Sequence, residues 1–179
     1  MQSQDILQFW FEELTPKQHF VKDTALDAAI GARFGATVEA AARGDLFGWR
    51  SSAHGRLAEI VVLDQFSRNI YRDTPRAFAQ DAIALVLAQE LVGSGQDQSL
   101  AVGERSFAYM PYMHSESPLI HTECMRLFGE LGLEMQLHYA EQHKVIIDRF
   151  GRYPHRNAIL GRASTTEELQ FLATPGSSF

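Results

Sequence analysis

The segment from Arg149 to Arg162 concentrates the residue types with which proteins bind anions. Its fourteen residues include four arginines, in a chain whose formal net charge is −6. A guanidinium group is planar, permanently charged and forked, so such a cluster either receives a carboxylate or phosphate or forms internal ion pairs. The residues of this segment that we predict to bind a ligand are Arg149, Arg152, Arg156 and Asn157.

A second polar group interrupts an apolar helical stretch. Asp64 follows Ile60–Leu63 and shares a helical face with Arg68, four residues further on. An isolated buried carboxylate costs on the order of several kcal/mol, so Asp64 must be paired or protonated. The structural interpretation is an i,i+4 ion pair that fixes helix packing. The functional interpretation is that Asp64 orients Arg68 towards a ligand, and we predict both residues as part of the binding site.

A third group contains side chains suited to general acid–base catalysis. Glu104 and His114 lie on either side of Pro111, which we expect to end a helix, and His155 lies in the arginine-rich segment. Histidine and glutamate transfer protons efficiently when their pKa values lie near the working pH. We therefore take Glu104, His114 and His155 as the candidates for proton transfer. The structural alternative is that these groups cap helices or form local pairs.

Composition excludes several classes of protein. A net charge of −6 argues against a general nucleic-acid or anionic-membrane binder. No apolar run approaches the roughly 18 residues of a membrane span, and the start lacks the positive flank of a signal peptide. The lone Cys124 rules out an internal disulfide and is expected to be a buried, unreactive side chain. These features favour a cytoplasmic protein.

Metal and cofactor motifs are missing. The sequence has no HExxH, ExxH pair or CxxC, so we predict no metal site. It also lacks GxxxxGK[ST], GxGxxG and GxSxG, which removes the usual nucleotide and serine-hydrolase interpretations, and we predict no cofactor. His143 shares a helical face with Tyr139 and Ile147, which is typical of a hydrogen-bonded core histidine.

The elements that must position these residues are predicted to be helices throughout. Hydrophobic residues recur with helical period in nearly every segment, and about eight helices joined by short connections favour antiparallel pairs in one domain, residues 1–179. Asp23 is expected to cap one helix, and Gly151 to end another that starts at Leu133. Further boundaries are expected at Ala53 and Tyr71 for a central helix, at Thr74–Pro75 for the next, and at a Ser164–Glu167 capping box.

The chain also resembles a known family. The motifs that carry the resemblance are Phe9–Phe11, Leu63–Arg72, Arg76–Ala79, Tyr109–Glu116, Arg149–Arg162 and Pro175–Phe179. Together they are similar to the bacterial family labelled domain of unknown function 924. The resemblance implies an all-α, tetratricopeptide-like, right-handed stack of helical hairpins, and it implies no reaction.

Three hypotheses follow. The leading hypothesis is a binding module whose arginines hold a carboxylate or phosphate of a peptide or small molecule. A protein partner is also compatible with this hypothesis. The second is an enzyme that acts on an anionic small molecule, with a glutamate and a histidine as its acid–base pair. The third is that the arginine cluster only holds helices together.

Overall fold

The computed structural model describes residues 1–177, and all regular structure within that range is helical. The last two residues of the closing motif, Ser178 and Phe179, lie outside the described residues. The α-helices are α1 (Ser3–Gln8), α2 (Thr24–Ala42), α3 (Ala53–Ile60), α4 (Ser67–Ile70), α5 (Asp81–Gly93), α6 (Val102–His114), α7 (Pro118–Leu131), α8 (Glu134–Phe150) and α9 (Thr166–Leu172). The all-α prediction is therefore confirmed.

Shorter helical segments complete the chain. Two π-helical segments, Phe9–Glu13 and Val61–Phe66, continue α1 and α3 without a break. The 3-10 helices are Pro16–His19, Phe47–Ser51, Pro75–Ala77, Gln96–Ser99 and Pro154–Arg156. Within residues 1–177, each helix is too short or too polar to cross a lipid bilayer.

The chain divides into two compact units. The first comprises Met1–Arg72 and Arg76–Pro111, and the second comprises Asp73–Pro75 and the chain from Tyr112 onward. These are packing units, so the expectation of one domain over residues 1–179 stays a prediction. The right-handed superhelical arrangement implied by the resemblance also stays a prediction.

The core of the first unit forms where its two π-helical segments meet. Trp10, from the first π segment, packs edge-on against Phe66 of the second, with ring centroids 5.6 Å apart. Phe34 of α2 stacks on Phe66 at 5.0 Å, and all three aromatic rings are buried. Aromatic rings bury the largest apolar areas of any side chains, so this contact contributes much of the unit's stability.

Local sequence signals explain most helix boundaries. The Asp23 carboxylate accepts hydrogen bonds from the backbone N–H groups of Ala25 and Leu26, as expected for the cap of α2. The predicted central helix is confirmed as a continuous helical path from Ala53 to Ile70, through α3, the π segment and α4. The π segment, which the sequence did not predict, carries Asp64.

The second unit is built on the hairpin of α7 and α8. Gly132 adopts a φ of +73° between the two helices, and Gly151 adopts +67° at the end of α8. This left-handed conformation is readily available only to glycine, which explains why both helices end there. Ile146, Ile147 and Tyr153 form a buried cluster, against which Phe150 and Phe171 pack.

Three predicted boundaries are wrong. Helix α6 continues through Pro111 to His114, so this proline lies inside the helix and does not end it. Thr74–Pro75 begins only a 3-10 turn, and α5 starts at Asp81. The capping box of α9 is formed by Thr165 and Glu168 rather than by Ser164 and Glu167.

Candidate functional site

The predicted site residues fall into the two units. Asp64, Arg68 and Glu104 belong to the first unit, and the remaining six belong to the second. Those six are His114, Arg149, Arg152, His155, Arg156 and Asn157. Within each unit, the contacts of these side chains determine which of them could meet a ligand.

Arg68 binds carboxylates of its own unit. Its two terminal nitrogens each donate to one oxygen of Asp81, at 2.9 Å, and Nη1 also lies 3.0 Å from Oδ1 of Asp64. The i,i+4 pair required by the structural interpretation is therefore present. Asp81 was not predicted as a partner of Arg68, because a contact between residues thirteen positions apart across a turn depends on tertiary structure. The ligand-binding role of Asp64 and Arg68 stays a prediction.

Glu104 caps the start of α6. Its Oε2 accepts a hydrogen bond from the Ala101 backbone N–H at 2.8 Å and lies 3.5 Å from Nε2 of His54. The histidine that contacts Glu104 is thus His54, an exposed side chain that the sequence analysis did not single out. His114 and His155 belong to the other unit.

Arg149 and Arg152 bind glutamates of α9. Arg152 donates through Nε and Nη2 to the two oxygens of Glu168, at 2.7 and 2.8 Å, and Glu168 is 2% exposed. Arg149 forms an exposed pair with Glu167 through a single carboxylate oxygen. Hydrogen bonds from Arg152 lower the pKa of Glu168 to about 2, against the opposing effect of its burial. Arg149 therefore ties the end of α8 to the last helix, and Arg152 ties the loop after α8 to it.

The last arginine of the run, Arg162, forms a forked pair with Glu116. Its Nη1 and Nη2 donate to the Glu116 oxygens at 2.6 and 2.9 Å, and its Nε donates to Oδ1 of Asn157 at 3.0 Å. Asn157 is fully buried and donates in turn to the Ser164 hydroxyl. The amide of Asn157, predicted as a ligand contact, thus lies inside a polar network of the protein.

Tyr153 lies at the centre of a cluster of basic side chains, which we call the Tyr153 cluster. The guanidinium of Arg156 lies 4.5 Å above the Tyr153 ring, within the range of a cation–π contact. The ring centroids of His155 and His143 lie 5.5 and 5.6 Å from that of Tyr153. The ring centroid of His114 lies 6.4 Å from that of His143, and His114 is the fifth member of the cluster.

Buried hydrogen bonds fix the tyrosine and one further histidine. The Tyr153 hydroxyl donates to the Met113 carbonyl, and it lies 3.2 Å from Nε2 of His121. His121 is fully buried and donates from Nε2 to the Ser115 carbonyl, while His143 donates from Nδ1 to the Tyr139 carbonyl. His143 is thus the hydrogen-bonded core histidine that the sequence predicts.

Three histidines of this unit, His121, His143 and His155, are held in the neutral form. Burial, and then the positive charge of Arg156, lower the pKa of His155 to about 4. Burial, and then the neighbouring His114, lower the pKa of His143 to about 3, and burial also lowers the pKa of His121. A neutral imidazole beside a permanent cation can still donate a hydrogen bond from its N–H group.

The predicted site residues of the second unit have two different roles in the structure. The structure brings His114, His155 and Arg156 into one cluster, while Arg149, Arg152 and Asn157 support the loop that carries two of them. Tyr153 was not predicted as a site residue, although it lies within a segment that carries the family resemblance. Among residues 1–177, no group of three histidine, cysteine or acidic side chains is arranged to hold a metal ion.

Comparison with known proteins identifies relatives of the whole chain. A family model described as "Bacterial protein of unknown function (DUF924)" matches residues 6–176. A solved structure, a protein of unknown function designated ATU0120 from Agrobacterium tumefaciens, is 40% identical, with 96% of each chain covered and a TM-score of 0.91. No curated protein matches the chain. The residues matched include all nine predicted site residues.

Proposed function

We propose that this chain, which belongs to the bacterial DUF924 family of unknown function, binds an anionic ligand through the Tyr153 cluster. The ligand group is a carboxylate or phosphate of a small molecule or peptide. The residues that would contact it are His114, His155 and Arg156, and the remaining arginines of the run would hold the site in place.

One arrangement carries this proposal: Arg156 and His155 lie close to the same tyrosine ring. An anion between them would receive charge-assisted hydrogen bonds from the guanidinium and a further bond from the imidazole N–H. His155 is partly buried, with its Nδ1 atom inside the protein, and Arg156 is buried beside it. A bound anion would also favour protonation of His155, which reverses the effect of Arg156 on its pKa.

Proton transfer by a Glu/His pair has less support. Glu104 contacts His54 and a backbone N–H group. A histidine with a pKa of about 4 is also a weak base, whereas efficient general bases have pKa values near the working pH. We therefore propose binding as the function and do not assign a catalytic residue.

The test is a titration of the protein with defined anions at constant ionic strength. The probes are inorganic phosphate, acetate, and a short peptide with a free C-terminal carboxylate, compared with the same peptide amidated. Binding is followed by the NMR signals of the histidine rings. We expect at least one of the three anions to shift the His155 signal in a saturable way, and the amidated peptide to leave it unchanged.

A matched pair of variants locates the site. His155→Ala should weaken binding by about tenfold, because it removes one hydrogen bond to the anion. His138→Ala makes the same substitution at an exposed histidine of the same unit and should leave the affinity unchanged. Failure of all three anions to bind, or equal effects of the two substitutions, would overturn the proposal.

A further inference from the structure

Glu116 accepts hydrogen bonds from two distant parts of the second unit. Its Oε1 accepts from the Tyr153 backbone N–H at 2.8 Å, and its two oxygens accept from the Arg162 guanidinium at 2.6 and 2.9 Å. Glu116 itself lies in the short connection between α6 and α7. One carboxylate therefore connects the start of α7 to positions 153 and 162.

The same pair also closes the segment between those positions. Arg162 donates from Nη2 to the Tyr153 carbonyl at 3.2 Å, and its backbone N–H donates to the Asn157 carbonyl at 2.8 Å. His155 and Arg156 lie between the two attachment points. Their positions thus depend on contacts made at both ends of the segment from 153 to 162.

We propose that Glu116 is a positioning residue, which holds His155 and Arg156 in the geometry that an anionic ligand requires. This inference rests on the proposed function. Glu116 does not contact the ligand itself, because its oxygens accept the hydrogen bonds from Tyr153 and Arg162. The charge-assisted, forked geometry of its bonds to Arg162 suits this role, since two parallel hydrogen bonds fix orientation as well as distance.

A positioning role and a purely electrostatic role of Glu116 predict opposite changes in the affinity for an anion when the charge of Glu116 is removed. Glu116 lies close enough to His155 for its charge to raise the pKa of that histidine, against the lowering effects of burial and Arg156. If Glu116 acted only as a nearby negative charge, its neutralisation would strengthen the binding of an anion. If Glu116 holds the segment in place, its neutralisation would weaken binding despite the more favourable charge.

The experiment compares three variants in the full-length protein. Glu116→Gln removes the charge and places an NH2 group against the Arg162 guanidinium. Glu116→Asp keeps the charge but shortens the side chain by one methylene group. Glu167→Gln, in the exposed pair with Arg149, is the matched control for loss of a glutamate charge in the same unit. The readouts are the affinity for inorganic phosphate and the hydrogen exchange of backbone amides from 153 to 162.

Positioning predicts that both Glu116 variants weaken phosphate binding by about tenfold and accelerate exchange in this segment. The control should change the affinity by less than about twofold, because exposed ion pairs contribute little. Stronger binding in Glu116→Gln, or unchanged affinity in Glu116→Asp, would overturn the inference.

Failure of the proposed function gives a different result. If the wild-type protein does not bind phosphate, acetate or the peptide carboxylate, the proposed function fails, and with it the role of Glu116 at an anion site. Hydrogen exchange still reports on the segment without any ligand, and unchanged exchange in both Glu116 variants would refute the holding role alone.

Discussion

The guanidinium of Arg152 donates to both carboxylate oxygens of Glu168, at 2.7 and 2.8 Å, across a gap of sixteen residues. Glu168 also accepts a hydrogen bond from the Thr165 backbone N–H, at the start of α9. One buried carboxylate therefore caps the last helix and attaches it to the loop that carries the Tyr153 cluster. Arg152 therefore holds the unit together, whereas Arg156 is the arginine that we propose to contact a ligand.

The first prediction concerns the stability contributed by this pair. Arg152→Ala leaves the buried Glu168 carboxylate without its guanidinium partner, and an uncompensated buried charge is strongly destabilising. We expect the melting temperature to fall by about 5 °C. Arg149→Ala removes an exposed pair and should lower it by less than about 2 °C. Differential scanning calorimetry measures both, and equal shifts would contradict the assignment.

The second prediction concerns two glycines of the first unit. A Cβ at Gly55 would lie 1.9 Å from the Trp49 carbonyl oxygen, so Gly55→Ala requires a shift of the backbone. We expect it to lower the free energy of unfolding by at least about 2 kcal/mol. Gly35, within α2, has nothing within 4 Å of the added atom, so Gly35→Ala should raise the free energy of unfolding by about 0.5–1 kcal/mol. Urea denaturation distinguishes the two, and a stable Gly55→Ala variant would refute the close approach.

The third prediction is a loss of stability in mild acid. His121, His143 and His155 have folded-state pKa values below the ordinary value of 6.5, so the unfolded chain binds more protons as the pH falls below 6.5. The stability that these neutral groups provide is present above that pH and is lost as the pH falls towards about 4. We expect a loss of about 4 kcal/mol between about pH 7 and pH 5, with about 2 kcal/mol from each of His143 and His155. Denaturant titrations across this range check it, and a flat profile would contradict the pKa directions.

Carboxylates add a second stage at lower pH. The pKa of Glu168 is lowered to about 2, and hydrogen bonds from Arg162 and the Tyr153 N–H lower the pKa of Glu116 despite its burial. Because the unfolded carboxylates take up protons near pH 4.5, the stability from these groups is lost as the pH falls below that value. In Arg152→Ala this second stage should be smaller than in the wild-type protein.

The fourth prediction concerns the single thiol. Cys124 is fully buried in α7, and burial raises its pKa to about 12. The thiolate is the reactive form, so Cys124 should react with a disulfide reagent only when the protein unfolds. A colourimetric thiol assay in native buffer and in denaturant measures this. Rapid labelling of the native protein would refute the burial of this side chain.

The sequence predicts helices well where a local signal sets the boundary. Asp23 and Gly151 act within one turn of the helix ends that they mark, so their chemistry is visible in a short window. Pro111 misled the prediction because a proline inside a helix is unfavourable but does not always end the helix. The π segments were not predicted, since hydrophobic period alone does not register one inserted residue.

The candidate site was predicted less completely, because ion pairing is a property of the tertiary structure. The arginine-rich segment was recognised from its composition, but the partners of Arg152 and Arg162 lie sixteen and forty-six residues away. No spacing rule connects those positions. Tyr153, which is central to the cluster, is an ordinary aromatic residue in the sequence and gains its importance only from its neighbours.

The most direct test of the proposed anion site is the pKa of His155 with and without a bound anion. This pKa is determined from the pH dependence of the ring NMR signals. In the free protein we expect a value near 4. At saturating phosphate we expect the pKa of His155 to rise by at least about one unit towards the ordinary value of 6.5, because a neighbouring anion favours the imidazolium. If the pKa of His155 stays unchanged while phosphate binds, the anion does not bind beside His155 and the proposed site is wrong.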